Sequence, residues 1–369
     1  MGAVIPKIRR PDPARMVKVT GPLTMAAAGR VAAAVRQLAQ SSAAPITLHI
    51  RSGGGEVAAF YQLAGEFDTL RCQGKKCRVF TLAHEARSAA AYLLLAGHRA
   101  YALPHTKVGL HGTRGALPKN GKLVSRETAL AIAMHLDREN RTVARILSKH
   151  LILRLAARRR ELLASSAPPP GKTPRDQMEN FTLSLAAQLD SKQAQRLLHQ
   201  SFERLKLIFA LSPLFLHQPH PSGPRTLAAR EVKIFQAALA YEFADNRGTK
   251  WRLGPTAGAE LLMDYLLAKD FLPGDHLKLV RRLARRFGRD FLSKSAIAQY
   301  ERLQCQSPSR AEKFLINAAL PDALGLWYFT LTLCHRLLAG DLTFSAQDAY
   351  WLGLVDEVLP AEPLTVPSP

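Results

Sequence analysis

Three groups of residues in this 369-residue chain have types and spacing suited to chemistry: Gly53, Gly54 and Gly55 behind an apolar stretch, Ser88 ahead of a run of alanines and leucines, and His111 closing another apolar stretch. A serine hydroxyl attacks a carbonyl only when a neighbouring base takes its proton, and an imidazole is the usual base at neutral pH. Unpaired amides at a glycine turn or a helix start can then receive the oxyanion that the attack creates. Each feature also has a plainer reading: a glycine triplet makes a turn, a serine before a helix caps its first amides, and a lone histidine is structural. The chain has neither GxxxxGK[ST] nor GxGxxG, so the glycines do not mark a nucleotide site.

The elements that must position these groups alternate. Residues 17–19 and 46–50 read as strands, and residues 25–38 carry Ala, Val and Leu at helical spacing with Thr24 placed as N-cap. A helix is expected over 57–70, a strand over 78–82, a short Ala/Leu helix over 88–97, and strands over 99–103 and 108–110 separated by a turn at Pro104 and His105. This rhythm argues for an α/β core. After residue 114 the pattern turns helical and basic, with helices expected over 126–163, 177–211, 226–243, 257–270, 276–287 and 311–319 and no convincing strand. Pro-rich stretches at 165–174 and 217–224 interrupt it. Residues 344–358 return to the α/β style, with a short helix and a strand at Leu354 and Val355. The layout is thus an α/β core from 1–114 and 331–369 around a basic, all-helical insertion over 115–330, with a linker near 165–174.

Four segments in this order resemble the proteolytic subunit of the Clp protease family, within the Clp/crotonase-like fold: 46–57 (ITLHIRSGGGEV), 85–97 (EARSAAAYLLLAG), 103–111 (LPHTKVGLH) and 341–358 (DLTFSAQDAYWLGLVDEV). The resemblance implies a ββα spiral core and a serine peptidase acting on unfolded or extended polypeptides through an acyl-enzyme. Carried over by motif, Ser88 is the nucleophile, His111 the base and Asp341 the acid that orients it, with Asp348 or Asp356 as alternatives. The amides of Gly55 and Ala89 would form the oxyanion hole. A substrate strand would pair along Gly53, Gly54, Glu56 and Val57. The resemblance implies no cofactor and no metal; it implies a homo-oligomer and raises an ATPase unfoldase as partner. The chain departs from the family where Gly53 replaces a proline, where Ala89 and Ala90 replace Met and Gly, and in the length of the insertion, which puts the double-ring assembly in question.

Lys and Arg number 51 against 29 Asp and Glu, a formal charge of +22, so the surface attracts polyanions. The segment 115–330 holds 34 of the basic and 19 of the acidic residues, with basic runs at 141–160 and 278–289. The plain reading of such runs is a solvated face, and polyanion contact is the functional alternative. Four cysteines without metal-ligand spacing, no secretory h-region and no 18-residue apolar run lead to the expectation of a cytoplasmic protein without a transmembrane segment. Two other functions stay open: a catalytically idle Clp-like scaffold binding protein or nucleic acid through basic helices, and a crotonase-type acyl-CoA enzyme.

Overall fold

The computed structural model describes residues 11–114, 125–165, 174–210, 242–244, 250–252 and 275–360. The Pro-rich 217–224, the helix expected over 257–270, and most of the 165–174 linker and the 226–243 helix lie outside these residues. Two compact units are present: residues 1–155 with 188–194 and 335–369, and residues 156–187 with 195–334.

In the first unit, Val17 and Val19 are buried while Lys18 and Thr20 are exposed, the period-2 pattern of strand β1 (Met16–Thr20). Helix α1 (Met25–Ser41) follows, opened by Thr24, whose hydroxyl accepts from the Ala27 amide. It buries Ala28, Val31, Ala32, Val35 and Ala39, one face at helical spacing. Strand β2 (Ile46–Ser52), helix α2 (Val57–Thr69) and a small hairpin of β3 (Arg71–Cys72) and β4 (Lys75–Lys76) lead to β5 (Val79–Arg87). Helix α3 (Ala89–Ala96) reads AAAYLLLA and is buried all round, as an apolar helix must be. Strand β6 (Arg99–Leu110) comes next, then helix α4 (Arg126–Ser165), within which the boundary between the units falls.

The sheet runs β1-β2-β5-β6 with all strands parallel. The last element in sequence, β10 (Glu357–Val358), pairs parallel with the first half of β6, and β9 (Leu342–Ser345) pairs antiparallel with its second half. β6 is one strand rather than two flanking a turn. Ala83 pairs with Ala102 and Glu85 with Lys107, so Leu103 to Thr106 bulge out opposite His84 alone. The Thr106 hydroxyl fills the gap, donating to the Ala83 carbonyl at 2.7 Å and accepting from the Leu103 amide at 2.9 Å. Pro104 is tolerated there because a bulge asks for no ladder N–H. The closing strand is at Glu357 and Val358, three residues beyond the place expected, after a helix over Ala346–Trp351.

The second unit is mainly helical. The expected 177–211 helix is two, α5 (Pro174–Ala186) and α6 (Lys192–Ala210). Ser191 breaks the pair by accepting the Ala194 amide as a cap. Strands β7 (Glu242–Ala244) and β8 (Lys250–Arg252) pair antiparallel where only helices were expected. Helices over Asp275–Phe287 and Lys294–Gln306 follow, and one over Pro308–Ala339 extends the 311–319 expectation at both ends.

The two basic runs differ. In the first run Arg154, Arg158 and Arg159 are buried and form no solvated or polyanion-binding face, while Arg145 and Arg160 are exposed. Arg154 binds Asp356 at 2.8 Å and the carbonyls of Gly97 and Leu354, while Arg159 lies over the Phe291 ring and donates to Gln177. Guanidinium stems pack on apolar surface and their forks satisfy carbonyls, which a sequence count of charge does not reveal. In the second run Arg281, Arg282, Arg285 and Arg286 are exposed, and Arg285 pairs with Glu312 and Arg289 with Glu301. No single helix among the described residues is long and apolar enough to cross a membrane.

Candidate active site

Parallel strands put their carboxyl ends at one edge of the sheet, the usual place for a site in an α/β protein. Gly53–Gly55 follow β2, Ser88 follows β5 and His111 follows β6, so all three arrive at that edge. β9 runs the other way, which brings its start, and Asp341 just before it, to the same edge. The ladder pairs Leu110 with Leu342, and one further step sets His111 opposite Asp341.

Ser88 occupies the cap position of α3 and does not act as a side-chain cap. Its backbone sits at φ 53°, ψ −130°, a sparsely populated region for a residue with a Cβ. Its N–H donates to the Gly109 carbonyl at 2.9 Å, and its own carbonyl accepts from Ala91 and Tyr92, so both sides of the strained residue are tied down. The side chain is half-buried. Strain held by neighbours, with a hydroxyl spared from capping, is what a strand-to-helix nucleophile elbow looks like.

Gly54 lies against this elbow. At φ +109°, an added Cβ would come 2.6 Å from Ser88 Cβ and 2.8 Å from the Arg87 carbonyl oxygen. Leu23 forms a parallel bridge with Gly55, its amide donating to the Gly54 carbonyl and its carbonyl accepting from the Glu56 amide, both at 2.8 Å. Two of the backbone groups expected to pair with a substrate strand are therefore already used inside the chain. Val57 begins α2, so the free edge is shorter than expected, confined to Gly53 and Gly55. The Gly55 and Ala89 amides take no part in these bonds.

His111 is half-buried, and its Nδ1 lies 2.6 Å from the Gly112 carbonyl oxygen. The Tyr92 hydroxyl donates to the His111 carbonyl. Burial raises the Tyr92 pKa, which keeps the phenol protonated as a donor. The Thr113 amide donates to Asn140 Oδ1 at 2.7 Å, fixing the turn that follows. Among the described residues no hydrogen bond joins Ser88 Oγ to His111, and none joins His111 to Asp341. Asp341 instead receives the Arg114 guanidinium at 2.9 Å, its side chain 76% exposed.

The two alternative acids are committed elsewhere. Asp356 accepts from Arg154 and from the Ala100 amide, and Asp348 is buried and accepts from the amides of Asp190 and Ser191. Both hold structure together and neither belongs to the site. His84 and Arg87 lie near the elbow in sequence. His84 packs edge-on against His49 and His105 (ring centroids 4.5 and 5.6 Å), and Arg87 pairs with Glu85 at 3.0 Å. Burial and the neighbouring His105 and Arg51 charges lower the His84 pKa. Among the described residues no cluster of His, Cys, Asp or Glu is arranged to hold a metal ion. Tyr92, Gly112, Thr113 and Asn140 were not singled out from sequence, and only the small Gly112-Thr113 pair after His111 gives a hint there.

Residues 8–154 match the family model for Clp protease. This supports assigning the chain to the Clp protease family. The matched segment holds Ser88, His111 and Asn140 and ends before Asp341; it spans fewer than half of the chain's residues. The match to a protease family points to peptidase chemistry for the matched residues. The mixed α/β architecture with its parallel sheet fits a Clp protease-like fold. No curated protein matches the chain.

Proposed function

We propose that this chain is a serine-type endopeptidase in which Ser88 and His111 cleave peptide bonds of extended polypeptides. His111 takes the Ser88 hydroxyl proton as Oγ attacks the substrate carbonyl, and the Gly55 and Ala89 amides receive the oxyanion. The imidazolium then gives that proton to the leaving amine, and water, activated by the same imidazole, hydrolyses the ester. The observation that carries this reading is the Ser88 backbone, strained at φ 53° and excused from capping, at the edge where His111 also arrives. A peptide seated there would pair with Gly53 and Gly55 on the side away from Leu23. The reading extends to a cytoplasmic homo-oligomer, all four of whose cysteines remain thiols, assisted by an ATPase unfoldase. It keeps the sheet as the catalytic part and the helical segment as an insertion.

A second reading, an inactive scaffold, is favoured by the open contact between Ser88 and His111. Labelling by a fluorophosphonate probe separates the two. Wild type is expected to label and Ser88→Ala, folded by circular dichroism, to lose the label; equal labelling of both proteins, or of neither, sinks the peptidase reading.

A further inference from the structure

We propose that the Gly112 carbonyl, held by Asn140, sets the proton position on His111, and that Asn140 rather than Asp341 is the positioning residue for the imidazole. The inference rests on the reading that His111 serves Ser88. A carbonyl oxygen only accepts, so the 2.6 Å contact puts the proton on Nδ1 and leaves the lone pair on Nε2. That is the tautomer a serine's base requires, and in a full triad a carboxylate enforces it.

The turn that carries this carbonyl is fixed on three successive residues. The Tyr92 hydroxyl holds the His111 carbonyl from α3. Gly112 is wedged where a Cβ would meet the Leu338 carbonyl oxygen at 2.7 Å and Asn140 Nδ2 at 2.9 Å. Thr113 gives its amide to Asn140 Oδ1, and its hydroxyl bonds the same oxygen. Asn140 sits in α4, a rigid element, so it can hold the turn to the tolerance that proton transfer demands. Asp341 offers no such support. Its carboxylate is three-quarters exposed and shares its charge with Arg114, so solvent and guanidinium together screen it from the imidazole.

The test uses the full chain with ¹⁵N-labelled histidine, the His111 signals being those lost in His111→Gln. Wild type and Asp341→Asn are expected to show Nδ1–H, Asn140→Ala to lose that preference, and Asn140→Asp, which keeps the acceptor for Thr113, to restore it. In parallel, the pH profile of fluorophosphonate labelling should slow about tenfold to a hundredfold and shift its midpoint in Asn140→Ala. In Asp341→Asn it should change less than about fivefold, the span of an exposed ion pair. A wild-type Nε2–H tautomer, an Asn140→Ala protein unchanged in tautomer and rate, or loss of labelling in Asp341→Asn overturns the proposal. Absence of wild-type labelling with the tautomer pattern intact overturns the peptidase reading and upholds the positioning role.

Discussion

Ser88 holds a backbone conformation worth about 1–3 kcal/mol of strain, and the neighbours that impose it include a glycine whose missing Cβ is the reason it fits. Gly54→Ala would force a methyl to within 2.6 Å of Ser88 Cβ at a φ of +109°, and neither side is a flexible end that can swing away. The expected outcome is a destabilisation of about 2 kcal/mol or more, read by denaturant unfolding, with loss of labelling at Ser88. Gly53→Ala meets nothing within 4 Å and should leave the unfolding midpoint unchanged, which makes the pair a test of packing rather than of glycine content. Ser88 and His111 were legible in the sequence because a residue's type and its place at a strand end are both local. Asn140 was not. Its role depends on a bond to Thr113, 27 residues away, and nothing in an Asn on a helix distinguishes an acceptor aimed inward from one in solvent.

At the scale of elements, alternating strands and helices were readable because each strand alternates or buries its apolar residues and each helix repeats them at three and four. Pro104 misled: it signals a turn, and the chain makes a bulge within β6 instead. The physical reason is Thr106, whose hydroxyl replaces the missing ladder bonds across the bulge. Thr106→Val keeps the shape and removes the hydroxyl, stranding the Ala83 carbonyl and the Leu103 amide in a buried place. A loss of about 1–3 kcal/mol in unfolding free energy is expected, largely recovered in Thr106→Ser. A Val variant as stable as wild type would mean that the bulge is held by packing alone. The basic runs teach a related lesson, since Arg154 and Arg159 turn inward to satisfy carbonyls and side chains, and only the placement of their partners in three dimensions decides that.

For the whole molecule, the two units should respond to acid in opposite directions. In the first unit burial lowers the pKa of His49 to about 4 and of His150 to about 3, and lowers His84 and His98 as well. The charges beside His49 are His84, Lys18 and Arg51, and beside His150 they are Arg154, His98, Lys149 and Lys76, all of which oppose protonation. Below about pH 6.5 the unfolded chain therefore binds protons that the folded unit refuses, and stability falls as the pH falls. In the second unit burial raises the Asp322 pKa to about 6, with Arg159 only partly opposing it. Here the folded state binds the proton more readily than the unfolded one, so the contribution is complete below about pH 4 and is lost as pH rises through 6. Hydrogen exchange at pH 7 and pH 5, corrected for intrinsic rates, should show β2 and β5 less protected at pH 5 and the Pro308–Ala339 helix more protected. Asp322→Asn should flatten only the second response, because an amide keeps the size of the side chain and cannot titrate. If both units weaken together on acidification, the carboxyl of Asp322 is ionised in the fold and the burial argument for it is wrong.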